Sequence, residues 1–157
     1  MHRRPSVLQY VFGIMVCQSA GIVGSLVTIA EIPAWYASLV VPSWQPPSWL
    51  FGPVWTMLYT LMGIAGARIW AETTSGDVLR RLFGAQLLLN ALWTPVFFGA
   101  HDLLGALVMI LALDAVVVTL VLQLWRRDRT AFWLLVPYLV WILFATCLNA
   151  VILTLNS

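Results

Sequence analysis

Tryptophan, tyrosine and proline are crowded into one short stretch of this sequence, and together they suggest one kind of chemistry. Residues 42–59 read PSWQPPSWLFGPVWTMLY and contain three tryptophans and four prolines. Tryptophan and tyrosine rings offer large flat surfaces with few rotatable bonds and one polar group each. Such rings can stack on a flat apolar ligand. Proline fixes φ and removes a backbone donor, so the part before Pro53 is predicted to be extended or turned, with Pro53 in the first turn of a helix.

The titratable side chains give no sign of a hydrolytic or metal-dependent active site. The sequence contains no Ser-His-Asp set, metal-ligand spacing or phosphate-binding loop. A lone His101 in a polar turn is read as a solvated residue, and a role as an axial ligand stays open as the alternative. Asp114 is unusual because it lies in the middle of a long apolar segment, where an ionisable group is costly. Two interpretations stay open for it: a functional carboxylate with Arg68 as its partner, and a protonated carboxyl that hydrogen-bonds between helices.

The composition indicates the environment in which these side chains lie. The chain has 157 residues, of which 62% are hydrophobic and only 9% charged, and its mean hydropathy is +0.93. A soluble domain carries about 25% charged residues. The sequence therefore predicts an integral membrane protein whose partners are the lipid bilayer and small molecules. It predicts no nucleic-acid partner, no bound metal and no resident cofactor.

Five apolar segments are long enough to cross a hydrocarbon core of about 30 Å at about 1.5 Å per residue. The spans are predicted near 7–29, 53–71, 79–100, 103–125 and 131–154, within a single domain that covers residues 1–157. The first follows a basic start, but it is too long for the apolar part of a signal peptide. The predicted fold class is an all-α membrane bundle of five helices, in which short turns make successive helices antiparallel neighbours.

The arginines predict the orientation of this bundle. All eight basic residues other than histidine are arginines. Five spans place all of them on one side, at the N-terminus and at the second and fourth connections: Arg3, Arg4, Arg68, Arg80, Arg81, Arg126, Arg127 and Arg129. The positive-inside rule then predicts a cytoplasmic N-terminus and an outer C-terminus. Helical spans favour the bacterial cytoplasmic membrane.

Residues 30–52 form the long connection on the opposite side, and two interpretations of it stay open. The prolines could stiffen an aromatic lid over the outer end of the bundle, because they reduce the freedom of the unfolded loop. Alternatively, the aromatic residues could simply anchor the loop among lipid headgroups. An anchor, however, does not need four prolines to fix its geometry.

Three motifs in this order resemble the TspO/MBR family, also called tryptophan-rich sensory proteins or translocator proteins. The first is WYASLVVPSWQPPSWLFGPVWTMLY at 35–59, the second AQLLLNALWTPVFFG at 85–99, and the third VPYLVWILFATCLNAVI at 136–152. The resemblance covers the whole chain. It implies a five-helix bundle that forms homodimers and binds porphyrins and haem precursors in a pocket under the first loop. Carried over by motif, the ligand-binding residues are Tyr36, Trp44, Pro46, Trp49, Trp55, Asn90, Trp93, Trp141 and Ala145, with Trp44 and Trp49 in the lid.

Helical spacing groups several of these residues. Asn90 and Trp93 lie three apart on one helix and share a face, which Gln86 extends by one turn. Amide side chains also bond neighbouring helices in membrane bundles, and this interpretation is preferred for Gln86. Ala145 lies one turn from Trp141 on the same face of the helix. A small residue beside a large ring leaves space for a ligand. Asn149 is interpreted as structural.

The leading hypothesis is a membrane-bound binder and sensor of porphyrins and related tetrapyrroles. Two alternatives stay open. One is translocation of porphyrin or other hydrophobic ligands across the membrane. The other is light-dependent degradation of a bound porphyrin, for which Trp55 and Trp141 would be the catalytic residues.

Overall fold

The computed structural model describes residues 5–72 and 76–157, and these residues form a bundle of five long helices. The helices are α1 (Val7–Glu31), α2 (Ser48–Ala71), α3 (Gly76–Thr94), α4 (Leu103–Arg127) and α5 (Arg129–Leu155). Each is long and apolar enough to cross a membrane, with α3 continued to Gly99. The chain is therefore an all-α integral membrane protein, as the composition predicts.

Polar side chains fix where three of the helices begin. Ser6 and Gln9 form a reciprocal capping box at the start of α1. Asp102 accepts from the backbone N–H of Gly105 at 2.8 Å and caps α4. Asp128 does the same for α5. Each carboxylate or hydroxyl satisfies a backbone donor that has no partner inside its own helix.

The second helix begins earlier than predicted, at Ser48 rather than near residue 53. Pro47 is its N-cap, and Pro53 lies inside the helix beyond the first turn. Pro53 therefore leaves the carbonyl of Trp49 without the usual intrahelical donor. The prediction placed Pro53 where a missing N–H is free of cost, but the start of the helix follows the Pro46-Pro47 pair instead. The first loop is correspondingly shorter, and Trp49 belongs to α2.

The third helix ends in a π-helical turn over Pro95–Gly99. Because Pro95 has no N–H, the regular ladder cannot continue through it. The backbone N–H of Ala100 instead donates to the carbonyl of Pro95 at 2.8 Å. This wider turn carries Phe97 and Phe98 into the space beneath the first loop. His101 follows with a φ of 56° and reverses the chain into α4.

The core lies among α2, α3, α4 and α5, and α1 packs on its edge. Met62, Val117, Leu120 and Tyr138 are fully buried, whereas α1 buries only Cys17 and Gly24 among its residues. Its outward face is apolar and exposed, which suits contact with acyl chains.

The helices contact one another most closely through glycine. A Cβ at Gly13 would clash with the carbonyl oxygen of Gly63, and a Cβ at Gly63 would clash with the backbone of Ile14. The two backbones of α1 and α2 therefore touch at this level, as small residues allow in membrane bundles.

The arginine residues that the structure describes lie at one end of the bundle, called here the arginine end. Arg68 of α2 forms a two-point ion pair with Asp128, with N–O distances of 2.8 and 2.9 Å. The predicted pairing of Arg68 with Asp114 is therefore wrong, because the nearer carboxylate in the α4–α5 turn takes the guanidinium. The opposite end, which carries residues 32–47, is called the loop end. Arg3 and Arg4 lie outside the described residues.

Candidate functional site

A cavity of about 510 Å³ lies inside the loop end of the bundle. All five helices contribute to its wall, as do the π-helical turn and three positions of the loop, Ile32, Tyr36 and Gln45. None of the described residues that line it carries a charge. A mainly apolar cavity of this size, with a few polar groups, is typical of a small-molecule site.

Nine of the thirty described residues on the wall are aromatic, and several of their rings pack against one another. Trp55 stacks on Tyr59 with 5.3 Å between ring centroids and 29° between planes. Trp93 stacks on Phe97 at 5.0 Å and 26°. On α5, Trp141 meets Phe51 edge to face at 5.8 Å. Rings packed in this way lose little further freedom when a ligand binds, which lowers the entropic cost of binding.

A buried hydrogen-bond chain joins three helices below the cavity. The hydroxyl of Tyr59 donates to Asn90 Oδ1 at 2.6 Å, and Asn90 Nδ2 donates to the hydroxyl of Tyr138 at 3.1 Å. Both ends of the Asn90 amide are thus engaged within the protein. Asn90 does line the cavity, but both of its amide groups form hydrogen bonds that join α2, α3 and α5.

The loop closes over the cavity through a contact between its own side chains. The hydroxyl of Tyr36 donates to Gln45 Oε1 at 2.8 Å, and its ring packs near Phe98 with 5.5 Å between centroids. Burial raises the pKa of Tyr36 to about 12. The hydroxyl therefore stays protonated at neutral pH and adds no charge to the site.

Several wall residues are largely exposed in the protomer: Ile22 at 60% and Ile29 at 68% on α1, and Trp49 at 70% on α2. On the same helix α1, Gly24 lies against Thr94 of α3. These exposures show that the α1 and α2 side of the wall is only partly covered by the rest of the protein.

The structure brings most of the predicted ligand-binding residues to one cavity. Its wall includes Tyr36, Trp49, Trp55, Asn90, Trp93, Trp141 and Ala145. Trp44 and Pro46 are not part of the wall. Trp44 packs edge to face on Phe144 at 5.7 Å, one ring behind Trp141, and is half exposed. A role for any of these residues in ligand binding stays a prediction.

Sequence reasoning missed several wall residues. Tyr59 lies one turn after Trp55, so the helical spacing of the first motif could have found it. Gln45 carried no such signal, because its position depends on how the proline-rich loop folds back to Tyr36. Phe97 and Phe98 were visible in the second motif, but only the π-helical turn explains why both reach this region.

The other residues singled out in the sequence have structural partners. Thr146 of α5 donates to Asp114 Oδ2 at 2.7 Å, which agrees with the interpretation of Asp114 as a bond between helices. Asn149 donates to the backbone oxygen of Leu103 at 3.1 Å. The ring of His101 stacks on Trp35 at 4.2 Å, and its Nε2 lies 2.9 Å from Glu31 Oε2. His101 therefore connects the end of α1 with the turn between α3 and α4.

A five-helix membrane bundle with an uncharged aromatic cavity at one end defines a class of small integral membrane proteins that can hold an apolar molecule within the bilayer. The sequence comparison makes the assignment specific. The chain belongs to the TspO/MBR family, whose sequence model matches residues 13–155.

Individual relatives resemble the chain over most of its length. It is 39% identical to the tryptophan-rich protein TspO of Archaeoglobus fulgidus over 153 residues, covering 97% of this chain and 99% of the relative. It is 40% identical to the human translocator protein over 131 residues, 81% of this chain and 78% of the relative. It is 38% identical to the tryptophan-rich sensory protein of Cereibacter sphaeroides over 140 residues, 89% and 86% of the two chains. These relatives support a membrane sensor or translocator role.

Proposed function

We propose that this protein binds porphyrins and related tetrapyrroles in the loop-end cavity and acts as a membrane sensor of them. The observation that supports the proposal best is the uncharged wall of stacked indole, phenol and phenyl rings. A flat aromatic macrocycle gains both apolar burial and ring–ring contact from such a wall.

Polar groups on the wall favour one orientation of the macrocycle. Within the described residues, the buried indole N–H of Trp93 on the wall has no hydrogen-bond partner. It is thus free to donate to a ligand acceptor. None of the described wall residues is cationic, so the two propionates of the ligand would point out past the loop toward water. Burying them unpaired would be costly.

A ligand titration tests this proposal. The wild-type protein in lipid nanodiscs is titrated with protoporphyrin IX while tryptophan fluorescence is recorded. We expect saturable quenching, and an affinity at least tenfold weaker in Tyr36→Ala and Trp141→Ala. The matched control is Trp133→Ala, since Trp133 lies at the arginine end and is 62% exposed. Equal affinity in all four proteins would place the site elsewhere.

Transport is the second candidate, because one group of relatives carries the name translocator protein. Reconstituted vesicles loaded with protoporphyrin distinguish the two candidates. Release that depends on the protein and is slowed by Trp141→Ala supports translocation, whereas saturable binding without release supports a sensor. The same samples under illumination test degradation, which requires a new absorbing product that is absent in Trp55→Phe and Trp141→Phe.

A further inference from the structure

The C-terminal end of α5 holds the middle of the loop through a single side-chain amide. Asn156 Oδ1 accepts from the backbone N–H of Val40 at 2.9 Å, and Asn156 Nδ2 donates to the backbone oxygen of Val40 at 2.8 Å. Both backbone groups of one loop residue are thus paired with one amide, as they would be with a neighbouring strand. The two residues lie 116 positions apart in sequence.

The place of this contact in the loop gives it a functional meaning. Val40 lies between Tyr36 and Gln45, two loop side chains that line the cavity and bond to each other. On either side of Val40, Leu39 and Val41 pack against a buried cluster that contains Phe97 and Ile152. The contact with Asn156 thus fixes the middle of the loop segment from Tyr36 to Gln45. The hydrophobic residues on either side of Val40 pack this segment against the bundle.

The amide is itself held in position by α5. Asn156 Nδ2 also donates to the backbone oxygen of Ile152 at 2.8 Å, and Ile152 lies on the cavity wall. The amide nitrogen of Asn156 therefore donates both to a loop residue and to a residue of the cavity wall. Among the backbone bonds of the described loop, local turns satisfy Ser38, Leu39 and Gln45, whereas Val40 relies on Asn156.

We propose that Asn156 is a positioning residue that holds the loop closed over the cavity and so sets how long a bound ligand stays. This inference rests on the proposed function. Losing the amide frees Val40, lets Tyr36 and Gln45 separate from the cavity mouth, and lowers the barrier to ligand escape. The association rate changes less, because the apolar wall is left intact.

Two substitutions with different hydrogen-bonding capacity test the inference. Asn156→Leu removes both bonds to Val40, whereas Asn156→Asp keeps the acceptor but replaces the donor by an oxygen that faces the carbonyl oxygens of Val40 and Ile152. Thr154→Val is the matched control, since Thr154 is on the same exposed helix end and bonds only within α5, to the oxygen of Val151. Protoporphyrin IX is released from each protein in nanodiscs by dilution into an excess of empty lipid vesicles, and the dissociation rate is measured by recovery of tryptophan fluorescence.

We expect the dissociation rate to rise about tenfold in Asn156→Leu, as the loss of two bonds to the loop implies, and by at least as much in Asn156→Asp, because its new oxygen repels two carbonyl oxygens. It should stay unchanged in Thr154→Val. Hydrogen exchange at the amide of Val40 should speed up in both Asn156 variants, while amides in the middle of α5 keep their protection. That pattern separates a freed loop from a destabilised bundle.

The outcomes separate this inference from the function on which it rests. Saturable binding with equal dissociation rates in wild type and Asn156→Leu overturns the inference and leaves the binding proposal intact. Absence of binding in the wild-type protein overturns both. Faster dissociation accompanied by exchange throughout α5 also overturns it, because Asn156 would then act on the stability of the helix.

Discussion

Two amide side chains one turn apart on α3 illustrate how differently the same chemistry can act at the scale of a residue. Asn90 gives and receives hydrogen bonds with Tyr59 and Tyr138. Gln86 is fully buried, and its side-chain nitrogen and oxygen have no partner among the described residues. An amide that is satisfied stabilises a bundle, whereas an unsatisfied one costs about 1–3 kcal/mol.

This difference predicts opposite effects of the same substitution. Asn90→Leu leaves two buried phenol groups without a partner and should lower the free energy of unfolding by about 2–4 kcal/mol. Gln86→Leu removes an unpaired polar group and should be neutral or stabilising. Thermal unfolding of both variants in the same detergent measures the two changes. Equal losses of stability would mean that Gln86 has a partner, such as internal water.

The residue scale is also where prediction from sequence reached its limit. The motifs identified aromatic residues that line the cavity, because Trp55, Trp93 and Trp141 each belong to one of the three motifs. They could not tell that Asn90 is engaged by two tyrosines, or that Trp44 lies one ring behind the wall. Those facts depend on the distances between helices, which spacing along one helix does not contain.

At the scale of the element, glycine decides how closely two helices approach. Gly63 touches the backbone of α1, whereas a Cβ at Gly84 of α3 would meet nothing within 4 Å. Both glycines lie inside helices, where alanine is intrinsically favoured by about 1 kcal/mol. At Gly63 the packing of α1 therefore opposes the helical preference for alanine. At Gly84 no neighbour opposes that preference.

We therefore expect Gly63→Ala to destabilise the bundle by about 1–3 kcal/mol, because the added methyl group must push α1 away. The control substitution Gly84→Ala should stabilise it by up to about 1 kcal/mol. Thermal unfolding in detergent measures both. The expectation fails if Gly63→Ala is tolerated as well as Gly84→Ala, since α1 would then be able to shift without cost.

The turn between α4 and α5 makes stability depend on pH. Burial raises the pKa of Asp128, but the hydrogen bonds from Arg68 and from the backbone N–H of Ala131 outweigh it and hold the pKa below its usual range. The folded protein therefore binds this proton less readily than the unfolded chain. The stabilisation is present above the ordinary carboxyl pKa of about 4 and is lost as the pH falls through the lower folded value.

Asp128→Asn should therefore lower the melting temperature at pH 7 and flatten its decline below about pH 4. Asparagine is still a good N-cap for α5, so the change isolates the ion pair with Arg68. Hydrogen bonds to charged groups contribute about 1.5–3 kcal/mol, which sets the expected loss. Melting curves from pH 3 to 8 for both proteins measure it. Parallel pH profiles would show that another group controls acid stability.

At the scale of the whole molecule, the fold was the part most readily predicted. Five apolar segments separated by polar turns leave little choice of architecture, since backbone groups inside a bilayer must be paired within helices. The start of α2 was missed because both the Pro46-Pro47 pair and Pro53 are compatible with the beginning of a helix. Only the packing of the loop decides between the two positions. The π-helical turn was missed because Pro95 predicts a break in the ladder without specifying its form.

The distribution of charge predicts how this bundle lies in a membrane. The described arginines gather at the arginine end, and Arg129 lies over the ring of Trp125 at 3.8 Å, as suits an interface with water and headgroups. The loop end carries acidic residues such as Glu31 and Asp102 but no described arginine. The positive-inside rule then predicts that the arginine end lies in the cytoplasm and the loop end on the outer side.

Single cysteines report this orientation directly. In a background of Cys17→Ala and Cys147→Ala, we place one cysteine at the exposed loop position Ser43 and, in a second protein, one at the exposed position Thr130 near the arginine end. In intact bacterial cells a membrane-impermeant maleimide should label Ser43→Cys, and it should label Thr130→Cys only after permeabilisation. The reverse pattern would place the loop end in the cytoplasm. A ligand would then be sensed from inside the cell, and the arginines would not be what orients the bundle.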